Sequence, residues 1–326
     1  MVRVLCTALN AESGPHFKML ADAGHECLVP DRSRDLWNND VLIDTLKGFD
    51  AVIAGSEPYP PNVIASIPQV RVLARAGVGF DAINLKACDE KKIVVATTPG
   101  CNHHSVAEHA IAMLMALGRG FPALDQEVRR GEWNRIPYPR ISGCTLGLVG
   151  LGRIGQATAT RAIGLGMTVI AFDPYAPADF VKAHGIKQVS LEELLKQSDF
   201  VSLHSPANPE TKHMINDKSL ATMKSSAVII NTARGPLIDE AALIRALKSG
   251  TIRAAGLDVF EIEPLPLDSP LIGMSNVLLA GHVAGLDNES HDATWALGAE
   301  IIMKLHRGEW PSDCVQNLKG VSDWTW

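Results

Sequence analysis

Apolar residues recur along the chain in two alternating rhythms. Short continuous runs suited to buried parallel strands fall at Val2–Leu5, Cys27–Val29, Ala51–Ala54, Val72–Ala74 and Ile93–Val95. Between them the spacing becomes helical, over His16–Ala23 (stopped by Gly24), Val41–Leu46, and from Val63 to Ser66 after Pro60 and Pro61. Such alternation predicts a parallel, doubly wound α/β sheet. Next comes SVAEHAIAMLMAL, Ser105–Leu117, apolar nearly all round. That predicts a helix buried on several sides, between domains or between subunits. After a helix at Ala123–Arg130 and a loop around Trp133–Arg140, strands are predicted at Leu146–Val149, Met167–Phe172, Phe200–Leu203, Ala227–Ile230, Ala254–Leu257 and Val277–Ala280. A last long helix, around Glu289–Leu305, is expected to return to the first domain, with a segment marked by Trp310, Trp324 and Trp326 packing there.

The chain is organised around Thr145–Asp173, which reads as strand, tight turn, helix, strand and acidic cap. The turn carries Gly150, Gly152 and Gly155 in G-x-G-x-x-G spacing. The first glycine permits the turn, the second lets a pyrophosphate approach the backbone, and the third lets the helix pack close to the sheet. The N–H groups and dipole of the helix N-terminus favour phosphate. Asp173, about 20 residues on, is placed to accept hydrogen bonds from a ribose and to repel a 2′-phosphate, which points to NAD rather than NADP. A glycine-rich turn alone would mean little; strand, helix, second strand and acid in register make it a dinucleotide site.

At 326 residues the chain is long enough for two domains. A net charge of −6 argues against a nucleic-acid partner or a basic membrane surface. No apolar run approaches the roughly 18 residues of a membrane span, and the start, MVRVLCTALN, does not read as a signal peptide. The six cysteines include no C-x-x-C pair, which suits a reducing cytoplasm. His103, His104, Glu108 and His109 form a histidine-rich cluster, but adjacent histidines do not share a helix face. Capping or packing is the better reading, and no metal is expected.

Polar residues gather where the strands of the second half end: His204-Ser205-Pro206, Asn231 to Gly235, Asp258 to Pro264 and Gly281 to Gly285. In open α/β sheets ligands bind outside the carboxyl ends of strands. Taken singly, Arg234 reads as a surface ion pair, His282 as a loop residue and Glu263-Pro264 as a turn. Together beside a dinucleotide they fit hydride transfer on a 2-hydroxy or 2-oxo acid. An Arg grips carboxylate and carbonyl oxygens, a His moves the proton, and a Glu favours its charged form. Glu261 is a competing carboxylate. Earlier in the chain, Gly77 and Gly79 bracket Val78 after a strand, and backbone N–H groups there could hold a carboxylate, although a plain turn is an equal alternative.

The motifs GVGFDAIN, SVAEHAIAMLMAL, GLVGLGRIG, NTARGPLIDEAAL, GLDVFEIEP and GHVAG, in this order, resemble the D-isomer-specific 2-hydroxyacid dehydrogenases, especially their phosphoglycerate-dehydrogenase-like branch. The resemblance covers nearly the whole chain. It implies two Rossmann-like doubly wound domains with a cleft between them, a flavodoxin-like substrate domain (1–101 and 288–326) and an NAD-binding domain (102–287). It implies a homodimer built on the nucleotide domain. It gives His282 the acid–base role, Glu263 its orientation and Arg234 the substrate, and puts Gly77, Val78 and Gly79 at the substrate carboxylate. It places Gly150, Gly152, Arg153, Ile154, Gly155, Asp173, His204, Pro206, Thr211, Thr232, Ala233, Arg234, Asp258, His282 and Gly285 around the cofactor, Asp258 near the nicotinamide carboxamide.

Two departures from the family pattern stand out, the first in the histidine loop and the second bearing on the substrate. Gly281 stands where many members have Pro. The stretch Gly55-Ser56-Glu57-Pro58-Tyr59 lacks the Arg with which phosphoglycerate dehydrogenases meet a phosphate, and Glu57 is expected to face that phosphate instead. The leading expectation is therefore an NAD-dependent D-2-hydroxyacid dehydrogenase. Phosphoglycerate dehydrogenase and glyoxylate/hydroxypyruvate reductase are the nearer alternatives, and an NAD-sensing corepressor-like binding protein is the distant one. Formate dehydrogenases are set aside, because they carry Gln where Glu263 stands.

Overall fold

The computed structural model describes every residue except Gly320 and Ser322. The chain forms two compact units, residues 1–102 with 286–326, and residues 103–285.

The first unit opens with β1 (Arg3–Cys6), α1 (Pro15–Asp22), β2 (Glu26–Leu28), α2 (Asn39–Leu46), β3 (Ala51–Ala54), α3 (Pro61–Ser66), β4 (Val72–Arg75), α4 (Leu85–Glu90) and β5 (Val94–Thr97). Its strands pair in parallel in the order β2-β1-β3-β4-β5. This is the flavodoxin-like order. Period-two alternation sends Val4 and Cys6 to one face of the sheet and Leu5 to the other, each into its own apolar layer. Both faces are covered, so the strands read as continuous apolar runs rather than alternating ones.

The second unit follows with α5 (His103–Gly118), α6 (Phe121–Arg129), β6 (Thr145–Val149), α7 (Arg153–Gly164), β7 (Thr168–Phe172), α8 (Ala178–Ala183), β8 (Lys187–Gln188), α9 (Leu191–Gln197), β9 (Phe200–Leu203), α10 (Asp217–Leu220), β10 (Val228–Asn231), α11 (Glu240–Ser249), β11 (Ala254–Leu257) and β12 (Val277–Leu279). Its parallel sheet runs β12-β11-β10-β9-β6-β7-β8. The order reverses at β6, between β9 and β7, which is where a doubly wound sheet opens its ligand crevice. Within this unit α5 packs on α7, β10 and β11, burying Ala110, Met113, Leu114 and Leu117. Finally α12 (Asn288–His306) returns to the first unit, against α1, β3 and β4. The C-terminal tryptophans join it there: Trp324 donates from Nε1 to the Lys92 carbonyl at 2.9 Å and lies under the Arg71 guanidinium.

Several short elements, α4, α8, β8, α9 and α10, lie outside the pattern reading. The five short elements offer too few residues to establish a period. No helix among the described residues is long and apolar enough to cross a membrane.

Candidate active site at the strand ends of the second unit

The turn after β6 is shaped by close backbone approaches. Gly150 has φ 99°, and a Cβ on it would meet the His204 carbonyl carbon at 2.7 Å. A Cβ on Gly155 would lie 2.3 Å from the Gly150 oxygen. Both positions therefore demand glycine. Gly152 differs, because nothing lies within 4 Å of its would-be Cβ, which leaves open space over the start of α7. That helix has no side-chain cap among the described residues, and its first residues are Arg153, Ile154 and Gly155. Its N–H groups are thus available to an anion. Asp173 closes the turn: one carboxylate oxygen accepts the Leu151 N–H at 2.6 Å and the other the Tyr175 N–H at 2.7 Å.

At neighbouring strand ends sit buried polar atoms that lack partners among the described residues, Thr232 Oγ1 after β10 and His204 Nδ1 after β9. The other ring nitrogen of His204 meets Ser202 Oγ at 2.9 Å. Burial drives the His204 pKa down to about 4, so its imidazole is neutral. Thr211 Oγ1 donates to the Pro206 carbonyl at 2.7 Å, which holds the loop after β9. The open glycine turn, the uncapped helix start and these orphaned polar atoms fit a dinucleotide.

Arg234, Glu263 and His282 follow β10, β11 and β12, three neighbouring strands of the sheet. His282 Nδ1 and Glu263 Oε2 are 2.7 Å apart. The other Glu263 oxygen accepts the Phe260 N–H at 3.0 Å. Burial alone would raise the Glu263 pKa. The hydrogen bonds from His282 and Phe260, with the charges of His282 and Arg234, outweigh burial and hold it below the usual range. The His282 side chain is half exposed, and with Nδ1 on the carboxylate its Nε2 is the nitrogen left to face a ligand. Glu261 is turned elsewhere, onto His213.

Two of the polar residues at the strand ends have structural roles that the motifs do not reveal. Asn231, the last residue of β10, is buried. It donates from Nδ2 to the Arg234 carbonyl at 2.9 Å and accepts the Ala233 N–H at 3.0 Å, so it shapes the Thr232–Arg234 turn. A polar residue ending an otherwise apolar strand was its signal. Asp258 is fully buried, and its carboxylate accepts the N–H groups of Val283 and Ala284 at 2.8 and 2.9 Å. Both of its oxygens thus serve the loop of His282 and Gly285, a role that its expected place near the carboxamide did not suggest.

Two expectations for the first unit need correction. Glu57 does not face outward: it is 4 % exposed, and its Oε1 accepts from the Tyr59 hydroxyl at 2.8 Å, the Gly55 N–H at 3.1 Å and the Thr7 hydroxyl. A buried carboxylate needs such donors, and these three lie next to it. After β4, Gly77 does not offer its amide freely, because that N–H donates to Thr98 Oγ1 at 2.8 Å. Val78 and Gly79 donate to no described residue.

Residues 111–284 match the family described as D-isomer specific 2-hydroxyacid dehydrogenase, NAD binding domain. The chain is 40 % identical over 294 residues to the glyoxylate reductase of Korarchaeum cryptofilum, covering 86 % of this chain and 89 % of that one. This chain belongs to the D-isomer specific 2-hydroxyacid dehydrogenases. As a family member it is an NAD-dependent oxidoreductase of 2-hydroxy acids. It is also 42 % identical over 272 residues to the D-3-phosphoglycerate dehydrogenase of Methanocaldococcus jannaschii, which covers 82 % of this chain but only 52 % of that one. The chain therefore spans about half the length of that curated relative. Among solved structures, the D-lactate dehydrogenase of Aquifex aeolicus complexed with NAD and lactic acid superposes with a TM-score of 0.82 at 27 % identity, covering 96 % of this chain and 98 % of that one.

Proposed function

We propose that this dehydrogenase interconverts an unphosphorylated 2-oxo acid and its D-2-hydroxy acid, with His282 as acid–base, Glu263 as its orienting carboxylate and Arg234 as the substrate anchor. The observation that carries this reading is the 2.7 Å His282–Glu263 pair, with Arg234 on the next strand end but one. The carboxylate on Nδ1 directs the proton of Nε2 toward the reacting oxygen. In reduction, His282 delivers that proton to the developing alkoxide; in oxidation it takes the hydroxyl proton. Arg234 offers fixed donors to substrate oxygens. The amides of Gly77, Val78 and Gly79 were expected at the substrate carboxylate; we retain Val78 and Gly79, whose N–H groups are unspent.

Bound NAD(H) supplies the hydride step. In this reading Gly150, Gly152, Arg153, Ile154 and Gly155 hold the pyrophosphate and Asp173 the ribose, which favours NAD over NADP. His204, Pro206, Thr211, Thr232, Ala233, Asp258 and Gly285 line the rest of the cofactor site. The second unit is then the NAD-binding domain and the first the substrate domain.

The unphosphorylated substrate is supported by chemistry around Glu57. The hydroxyls of Thr7 and Tyr59 and the Gly55 amide, which are donors a phosphate would use, are already given to that carboxylate. The similarity to a phosphoglycerate dehydrogenase favours the second reading, oxidation of 3-phosphoglycerate. An NADH-oxidation assay over glyoxylate, hydroxypyruvate, pyruvate, bulkier 2-oxo acids and phosphohydroxypyruvate separates the two. Turnover of unphosphorylated acids is expected, and selectivity for phosphohydroxypyruvate would overturn the substrate assignment. NADH binding without turnover of any acid would instead favour a binding protein.

A homodimer belongs to the same proposal. The α6 helix buries none of its residues, and Phe121, Val128, Trp133 and Ile136 expose apolar side chains along one segment of the second unit. Such a patch favours association, and a second copy is the occupant proposed. Light scattering should report a dimer for the wild type and a monomer for Trp133→Glu. We place the protein in the cytoplasm, a reading supported by its free thiols: burial pushes Cys6, Cys27 and Cys88 up to about 12, which leaves them inert.

A further inference from the structure

The loop that carries His282 is held in an unusual conformation. His282 has φ 58°, a left-handed value that a non-glycine residue adopts only when its surroundings compel it. Asp258 supplies part of that compulsion: its carbonyl accepts the His282 N–H at 2.7 Å and its carboxylate accepts those of Val283 and Ala284. The rest comes from α5. Ser105 Oγ donates to the Ala284 carbonyl at 2.7 Å. One turn further, His109 lies on the same face of the helix. Its Nε2 is buried, has no hydrogen-bond partner among the described residues, and stands 3.8 Å from Asp258 Oδ1. The Asp258 side chain is 1 % exposed. A carboxylate so placed needs donors, and the His109 ring faces it from α5 just beyond hydrogen-bond distance.

We infer that Ser105 and His109 are positioning residues for the acid–base histidine: they brace, from α5, the Asp258-held loop that presents His282. Neither touches the reacting atoms. Ser105 fixes the loop at Ala284 by a hydrogen bond, and His109 backs the carboxylate that ties Val283 and Ala284 by packing its ring within 3.8 Å of it. The inference rests on the assignment of His282 as the acid–base group.

The test compares wild type, Ser105→Ala, Ser105→Thr, His109→Phe, His109→Gln and His282→Ala. Amide hydrogen exchange is followed in the peptide spanning Gly281–Gly285 without cofactor, alongside kcat, KM and NADH affinity. Ser105→Ala and His109→Phe should raise exchange of the Val283 and Ala284 amides at least severalfold. They should also lower kcat by roughly ten- to a hundredfold, as small misplacements of a reacting group do, while KM and NADH affinity stay within about twofold on the same ground. Thr and Gln, which keep a donor, should recover most of both losses. Wild-type exchange and kcat in Ser105→Ala and His109→Phe would overturn the brace. So would losses that Thr and Gln fail to recover, or that track NADH affinity, because those mark a general packing role. If a truncating variant does not fold, the Thr and Gln variants decide, and faster exchange in both despite their donors overturns the brace. Absence of turnover in wild type would sink the functional reading instead, and the exchange data would still judge the brace.

Discussion

Two histidine–glutamate pairs draw their carboxylates from one short stretch of the second unit, and they have opposite consequences. Glu261 and Glu263 both follow β11. Glu263 meets His282 through Nδ1, which leaves Nε2, the nitrogen far from the backbone, for a ligand. Glu261 meets His213 through Nε2, so that ring spends its outer nitrogen on the carboxylate. His213 is otherwise fastened in place: its N–H donates to the Pro236 carbonyl at 2.8 Å and its carbonyl accepts from Asn216 Nδ2 at 2.8 Å. The Glu261 pair ties the loop after β9 to the loop after β11. The Glu263 pair, in the proposed mechanism, holds a proton carrier in position. Residue type and carboxylate contact are the same in both; which ring nitrogen is consumed separates a clasp from a ring whose outer nitrogen is left for a ligand.

Substitutions can break this comparison at several strengths. The largest effect is expected from His282→Ala, which should lower kcat by roughly 100- to 10,000-fold, whereas His213→Ala should stay within about threefold on the same basis. Steady-state rates with NADH and the preferred oxo acid measure both, and equal losses would erase the distinction. Next comes Glu263→Gln. It leaves a hydrogen-bond acceptor but no charge to support the imidazolium, and about a ten- to hundredfold loss in kcat is expected, comparable with the loss of other orienting partners. Glu261→Gln should leave kcat near wild type. Replacement of Asp173 with Ala should weaken NADH about tenfold or more, the order of one lost charge-assisted contact, and narrow the preference over NADPH. Titrations with the two cofactors would show an unchanged ratio if the carboxylate were not on the ribose.

The smallest expected effect is on stability against acid. Glu263 is held below its ordinary value in the folded chain. The unfolded chain therefore binds the proton first as pH falls, so the stabilisation is present above the ordinary glutamate range and is lost as pH drops through the folded value. Melting temperatures measured from pH 6 to 3 should fall less steeply in Glu263→Gln than in wild type. A parallel pair of curves would show that the pair contributes nothing to folding.

How much of this was legible beforehand depends on how local each feature is. The unit β6–α7–β7 could be read residue by residue, because a strand run, a glycine turn, a helical period and an acid are all written within one segment. By contrast α11 does not stand out from its apolar spacing, although its ends are marked by Asp239, which caps the first turn, and Gly250, whose φ is 72°. Glu57 was legible as an acid in a telling place, yet its direction was not, because the donors that turn it inward come from Thr7, far along the chain, as well as from Gly55 and Tyr59. Residue type alone also left Glu261 and Glu263 as rivals.

By itself the sequence determined the alternation of strands and helices, the dinucleotide turn and the presence of an Arg, a Glu and a His at successive strand ends, since each is encoded in contiguous residues whose period and backbone freedom act locally. The family followed from those motifs in order. Only the tertiary structure decided which glutamate faces His282, where Glu57 points, that Gly77 spends its amide on Thr98, and that Asp258, with α5 behind it, holds the histidine loop. Each of those outcomes depends on a hydrogen bond between segments brought together by folding, and no local spacing carries that information.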